Sequence, residues 1–363
     1  MVNPFGERSD LIVHSREPFN AEPPSARLRE RFITPNEAFY TRSHGPVPPL
    51  QEATHRLRVD GLVATTLDVT VGDLRSCFPE RSVLAVLQCA GNRRAEMNRL
   101  SEVSGDPWQG GAIGNAVWTG VALHDVLRAA GVATGTGLHV AFAGCDACVI
   151  DGERFRYEAS IPLAKALSPE VLLAWAMNGE TLVPAHGFPL RVIVPGYAGV
   201  RSTKWLERIT VQDAPSANHI QARDYKLVPA HVTKQTVDWE RGMTINEMPV
   251  NAAICEPAPG ARLAAGPTVI RGWAMASGRP VVRVDVSADG GESWGQATLA
   301  SDDESPWSWT FWAAALDLAP GERQLVARAW DAAGQTQPAD IAQVWNFKGY
   351  LCAAWHRVAV TVR

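Results

Sequence analysis

The run Val86-Leu87-Gln88-Cys89-Ala90-Gly91-Asn92-Arg93-Arg94 is the sharpest chemical feature of this 363-residue chain: an apolar strand ending in a cysteine, then a Gly-Asn turn and two arginines. A strand end presents its side chain at the rim of a domain, and neighbouring guanidinium charge favours thiolate over thiol. Thiolate is the form that attacks electrophiles or binds soft metals. Taken alone, a cysteine at a strand end is more often a small buried apolar residue; the arginines weigh against that. Cys145 and Cys148 form a Cys-x-x-Cys, but Val149 follows where a c-type haem attachment needs histidine, and no second cysteine pair completes a zinc site. They read as ordinary thiols near a strand end, and Cys77, Cys255 and Cys352 carry no motif.

These residues need elements to position them. From about residue 55 to 235, strand-like apolar runs (Leu67 to Val71, Val83 to Leu87, Leu138 to Phe142, Leu190 to Val194) alternate with helical stretches such as Leu123 to Ala130 and Leu163 to Leu167. That predicts a mixed α and β domain over residues 51–240. Beyond it, short alternating segments (Val281 to Val286, Trp307 to Trp312, Gln324 to Trp330, Val358 to Val362) are separated by turn signals such as Asp289-Gly290-Gly291. This spacing predicts an immunoglobulin-like β-sandwich over residues 241–363, with the boundary near Glu240 to Asn246, so the fold class is α+β. Residues 1–50 carry Pro4, Pro18, Pro23, Pro24, Pro35, Pro46, Pro48 and Pro49 and read as an extended arm laid over the first domain.

A formal net charge of -4 gives no basic field for nucleic acid or for an anionic membrane surface. No apolar run approaches the roughly 18 to 20 residues of a membrane span, and the first residues lack a signal-peptide core. A cytoplasmic location is expected, or a periplasmic one if a leader is missing from this sequence, and six cysteines in a chain this long do not make a disulfide framework.

Leu87-Gln88-Cys89-Ala90-Gly91-Asn92-Arg93-Arg94-Ala95-Glu96-Met97 resembles the signature of the sulfite oxidase family of molybdenum-cofactor oxidoreductases, in its haem-free, two-domain form. Tyr40-Thr41-Arg42-Ser43-His44 resembles the family's first pterin-contacting stretch, with Ser43 in place of the usual asparagine. Asp106-Pro107-Trp108 resembles the segment bringing an indole to the substrate pocket, and Arg223-Asp224-Tyr225-Lys226 the one carrying the active-site tyrosine. His186 to Gly196 and Gly199 to Leu206 resemble the stretches that hold the cofactor's phosphate, and Trp345-Asn346-Phe347 to Ala354-Trp355-His356-Arg357-Val358 the family's C-terminal end. These resemblances span residues 32–363.

The resemblance implies Cys89 as the protein's sulfur ligand to molybdenum, in one molybdenum-molybdopterin per chain and without haem. Tyr40, Thr41, Arg42, Ser43, His44, Asp146, His186, Arg191, Ser202, Thr203 and Lys204 would contact the cofactor, and such charged, bidentate and hydroxyl donors suit a phosphate. Arg42, Arg94 and Arg357 would bind a small oxyanion, with Tyr225 and Trp108 closing the pocket. Converging arginines with few acidic partners are costly to desolvate unless an anion is present. The implied reaction is oxidation of sulfite to sulfate by oxygen-atom transfer, with electrons passing to a separate acceptor such as a cytochrome c-like protein or dioxygen. A nitrate reductase-like molybdenum module is the nearer alternative, against which Arg357 leans toward sulfite; an immunoglobulin-like binding protein without cofactor is the farther one. The tryptophans crowding the C-terminal half are expected at a homodimer interface, since the family's second domain is a dimerisation module.

Overall fold

The structure is a computed structural model that describes residues 10–300 and 305–363; residues 1–9 of the predicted arm, Pro4 among them, lie outside the described residues. The alternating apolar runs of the first domain build two five-stranded sheets. In the first, Glu80–Gln88 pairs antiparallel with Ile113–Ala122, setting Val83 opposite Trp118 and Gln88 opposite Ile113. Leu172–Met177 takes the other side of Ile113–Ala122, and Glu180–Thr181 and Arg191–Ile193 both pair with Leu172–Met177. The second sheet has the order Leu67–Thr70, Arg56–Gly61, Leu206–Gln212, His139–Ile150, Glu153–Pro162.

Two hairpins turn through Asp151-Gly152 and Asn178-Gly179, with φ of 50°, 81°, 53° and 79°. Positive φ at both central residues matches the twist of the strands they join. The strand expected over Leu67 to Val71 stops at Thr70. Its hydroxyl accepts from the Asp73 amide at 3.0 Å while the Asp73 carboxylate accepts from the Thr70 amide at 2.8 Å, a capping box that starts helix Val71–Cys77. This helix and Leu123–Ala129 pack Leu74, Val126 and Leu127 against Leu57, Val59, Val140, Phe142 and Ile209 of the second sheet.

The C-terminal residues form a sandwich. One sheet has the order Asn251–Glu256, Gly266–Met275, Thr310–Leu318, Thr298–Ala300; the other Arg262–Leu263, His356–Val362, Gly321–Asp331, Val281–Ser287, Gly295–Gln296. Ile254, Ile270, Ala274 and Trp312 face Val284, Val286, Leu325, Ala327, Val358 and Val360 across its core. The opposite face of the first of these sheets carries Ala253, Cys255, Trp273, Met275 and Phe311. They share a second core with Tyr157, Ile220 and Tyr225 of the first domain, with Ile245 at the boundary and with Leu28 of the arm. The arm itself holds the hairpin Ile12–Arg16/Phe19–Glu22 and the short helix Arg27–Glu30. It touches both domains: the Asn20 side chain donates to the Asp106 carboxylate of the first at 2.9 Å, while in the second the Trp309 indole donates to the Phe32 carbonyl at 3.0 Å and the Phe311 ring lies 4.1 Å under the Arg29 guanidinium.

The expectation that the tryptophans gather at a subunit interface fails for Trp273, Trp309 and Trp312, which are at most 1% exposed within the chain. Their alternation with apolar neighbours directs them inward. Among the described residues, no helix is long and apolar enough to cross a membrane.

Trp273 joins the two domains by packing alone, so Trp273→Ala should cost about 3 to 5 kcal/mol in a urea unfolding curve. The molecular mass measured by light scattering should not change. A variant that lost mass but kept its unfolding midpoint would return Trp273 to a subunit interface.

Candidate active site

Cys89 takes its place from the end of a strand. The Glu80–Gln88 ladder closes with the Cys89 amide donating to the Ala112 carbonyl at 2.9 Å, and the Asn92 side chain then accepts from the Ala112 amide at 3.0 Å, so the chain turns without leaving that donor unpaired. Within the turn the Asn92 amide donates to the Cys89 carbonyl at 3.0 Å and the Gly91 amide points at Sγ at 3.4 Å. The sulfur lies in the wall of a cavity. Burial pushes its thiol pKa up, against the pull of Arg42 and Arg94, so without a metal Cys89 is a thiol, where the sequence suggested a thiolate. A soft metal would have to displace that proton.

Every cofactor-contacting residue expected from the sequence lines this cavity: Tyr40, Thr41, Arg42, Ser43, His44, Asp146, His186, Arg191, Ser202, Thr203 and Lys204. Asp146 is the one carboxylate among the residues that line it. The cations spend their donors on neutral oxygens. Arg191 donates to the His186 and Ser202 carbonyls at 2.7 and 3.1 Å, Lys204 to the Ser43 hydroxyl and Ala185 carbonyl at 2.7 and 2.9 Å, and Arg42 to the Ser43 carbonyl. Burial and mutual repulsion then weaken the hold of Arg191, Lys204, His186 and His44 on their protons. Burial brings Arg191 down to about 10, and burial with the Arg191 charge drives Lys204 well below its usual value. Burial, Arg191 and Lys204 bring His186 to about 3, and burial, Arg42 and Lys204 hold His44 neutral. Arg191 Nε, Thr41 Oγ1 and Asp146 Oδ1 are buried without a hydrogen-bond partner. Under-compensated buried cations and idle polar atoms are what an anionic ligand would satisfy. A phosphate-bearing pterin whose metal reaches Cys89 fits this donor set.

Arg42 and His44 also line a wider, solvent-open mouth with Arg94, Asp106, Asp224, Lys348 and Tyr350. The His44 ring meets the Tyr225 hydroxyl at 2.8 Å, and Tyr225 stacks on Tyr350 with centroids 4.9 Å apart. A widened π-helical turn over Ile220–Asp224 delivers Asp224 and Tyr225 here. Arg94 is held at its place by donating to the Lys348 and Gly349 carbonyls at 3.1 and 3.3 Å and to the Asp106 carbonyl at 3.0 Å. Its guanidinium fills a cradle that only glycine leaves open, since a Cβ on Gly91 or Gly105 would come within 2.6 Å of it.

The structure does not bring Arg357 to this mouth. It stands in strand His356–Val362, where Val358, Val360 and Val362 point into the sandwich and Arg357 therefore points to the outer face. There it donates to the Gly290 carbonyl and the Gln324 side chain, both at 2.9 Å. The cation that the second domain does place at the mouth is Lys348, which the sequence reading missed. It sits in a loop tied by the Asn346 side chain to Tyr350 and pairs with Asp224. Its signal was a basic residue inside the Trp345-to-Val358 stretch, outside any strand pattern. Trp108 does not close the pocket from the front: fully buried, it packs behind Tyr40, with ring centroids 6.5 Å apart, and its Nε1 has no partner. Tyr157, in the cavity wall, was also missed. Cys145 and Cys148 are free thiols that donate hydrogen bonds to Glu207 and Asp146, and among the described residues no cluster of three or more His, Cys, Asp or Glu side chains is arranged to hold a metal ion.

Residues 44–220 match the family described as oxidoreductase molybdopterin binding domain, and residues 242–363 the Mo-co oxidoreductase dimerisation domain. The chain is 46% identical over 356 residues to the sulfite oxidase of Gallus gallus, covering 96% of this chain and 77% of that protein. It is 39% identical over 368 residues to the sulfite oxidase of Arabidopsis thaliana, covering 96% and 93%. The crystal structure of the sulfane dehydrogenase SoxCD from Paracoccus pantotrophus superposes with a TM-score of 0.82 at 28% identity, covering 96% of this chain and 86% of that one. A cysteine in the wall of a cationic cavity, built by a chain related over nearly its whole length to these proteins, places it by descent as well as by geometry: the chain belongs to the sulfite oxidase family of molybdopterin oxidoreductases.

Proposed function

We propose that this chain binds one molybdenum-molybdopterin through Cys89 and the cationic cavity and oxidises sulfite to sulfate, handing the electrons to an external acceptor. The observation that carries the reading is the cavity itself, in which Arg42, Arg191 and Lys204 surround Cys89 against the single carboxylate of Asp146. The bound cofactor supplies two-electron oxygen-atom transfer; the protein supplies binding, orientation and charge. Arg191 and Lys204, with the hydroxyls of Ser202, Thr203 and Ser43, hold the cofactor's phosphate. Arg42, Arg94 and Lys348 line the mouth and draw in a doubly charged anion, and Asp224 keeps Lys348 turned toward it until the anion competes for the ammonium. Tyr225, its hydroxyl bonded to a neutral His44, holds a proton at the neck between mouth and cavity. With Arg357 elsewhere, the preference for sulfite over nitrate rests on the relatives. Self-association through the second domain accompanies this reading, carried by its similarity to a dimerisation domain.

The purified chain should carry about one molybdenum and reduce ferricyanide when given sulfite. Cys89→Ser should keep the fold and lose nearly all turnover, since a hard hydroxyl replaces a soft ligand. Turnover of nitrate with a reduced dye, and none of sulfite, would move the chain to the nitrate-reducing alternative; active protein free of molybdenum would end the reading.

Lys348→Met should raise the Michaelis constant for sulfite about tenfold or more, the equivalent of about 1.4 kcal/mol, while leaving molybdenum content unchanged. Arg357→Met should move it less than about twofold, since surface changes away from a site have small effects. The reverse ranking would restore Arg357, acting from the partner subunit.

His44, His186 and His356 are all held neutral in the fold, the last two at about 3 and about 4. The unfolded chain protonates them near 6.5, so it takes up protons first and the stability they contribute is lost as pH falls below about 6.5. A phosphate beside His44 and His186 would raise both toward that value. The melting temperature of the cofactor-free protein should therefore fall by several degrees between pH 7 and pH 5, and that of the loaded protein by less. Parallel declines would remove the anion from beside these histidines.

A further inference from the structure

Arg93 belongs to the cysteine motif, yet it lines neither cavity nor mouth. It is fully buried and adopts φ of 66°, left-handed for a residue with a side chain. Such a conformation persists only where the surroundings over-determine it. Its Nε and Nη2 donate to the two Glu96 carboxylate oxygens at 2.7 and 2.8 Å. Nη1 donates to the Asn251 side chain at 2.8 Å and Nη2 also to the Ala354 carbonyl at 2.9 Å, both in the second domain. Asn251 is fixed in turn, its amide donating to the Cys352 carbonyl at 3.1 Å. A second tie lies beside the first. The Leu351 amide donates to the Ala90 carbonyl at 2.8 Å, and Leu351 is left-handed as well, with φ of 54°. Ala90 is the next residue after Cys89, and Arg93 closes the same turn. Both ends of the turn that aims the Cys89 sulfur are thus fastened to residues 351–354 of the sandwich.

We propose that Arg93 is a positioning residue through which docking of the second domain sets the place of the Cys89 sulfur, so that the sandwich acts on the metal ligand in addition to any part in self-association. The proposal rests on Cys89 as the metal ligand for its meaning in the loaded enzyme, while the position of the sulfur can be read without cofactor.

The test compares Asn251→Ala and Arg93→Lys with Ser277→Ala. Ser277 donates to the Gly196 and Met248 carbonyls at 2.6 and 2.8 Å, elsewhere on the same domain boundary and away from the cysteine turn. In cofactor-free full-length protein, alkylation of Cys89 by iodoacetamide is followed by peptide mass mapping. Asn251→Ala and Arg93→Lys should speed it about tenfold, the response to losing a charged hydrogen bond's hold on the turn, with Cys145 unchanged. Ser277→Ala should leave Cys89 at the wild-type rate even where it lowers the melting temperature. In the loaded enzyme, the electron paramagnetic resonance spectrum of molybdenum(V) should shift in the first two variants and not in the third. Cys89 labelling within about twofold of wild type in both variants, or an equal rise in Ser277→Ala, overturns the proposal. Altered labelling in a chain that never takes up molybdenum supports the positioning and removes the ligand reading instead.

Discussion

Buried positive charge with too little negative charge beside it is the constraint from which the rest of this molecule follows. Arg191, Lys204, His186 and His44 are drawn around one cavity, and Asp146 alone opposes them there. Desolvating such groups is expensive, and the fold answers in the only two ways open to it. It discharges what can be discharged, holding both histidines neutral and weakening the hold of Lys204 on its proton. It also braces what cannot, turning the Arg191 fork onto backbone carbonyls and placing its Cζ 5.0 Å from the centroid of the Trp118 ring. These are the compromises of a site organised for an anion, in which ligand binding repays instability elsewhere in the chain.

A second dependence runs between the domains. The mouth is not a property of the first domain alone: Arg94 is oriented by the Lys348 and Gly349 carbonyls, and Lys348 itself comes from the sandwich. The sheet face of Ala253, Trp273, Met275 and Phe311 supplies the apolar contact that makes so exacting a polar arrangement affordable. Of the non-glycine residues with left-handed backbone, Asp151 and Asn178 belong to hairpin turns, whereas Arg93 and Leu351 each donate a hydrogen bond across the domain boundary and Trp205 follows Lys204 in the cavity wall. Strain is concentrated where the site is assembled.

Much of this was legible in the sequence because it is written locally. The strand into Cys89 and the switch from mixed elements to short strands after residue 240 need only neighbouring residues to be read, whereas the stretches Tyr40 to His44 and His186 to Lys204 stood out through their resemblance to a family, and the fold brings them to one cavity. What escaped was three-dimensional. Arg357 was placed at the mouth although the alternation of Val358, Val360 and Val362 assigns it to the outer face of the sandwich. Lys348 escaped because a loop carries no periodicity; only the folded chain shows that Asn346 turns it toward Asp224. Trp273, Trp309 and Trp312 have the composition of an interface and the alternation of a core, and the alternation decided. The thiol state of Cys89 could not be read from flanking arginines, since burial outweighs them.

The account turns on whether the cavity's charge is a burden to the empty protein and an asset to the loaded one. Replacing Lys204 by methionine separates the two, because its ammonium is recessed among Arg191 and Arg42 with Asp146 alone to offset them. The melting temperature of cofactor-free Lys204→Met should exceed that of the cofactor-free parent, while its retained molybdopterin should fall well below the parent's. A variant whose cofactor-free form melts lower than the parent and whose cofactor content is unchanged would contradict the account.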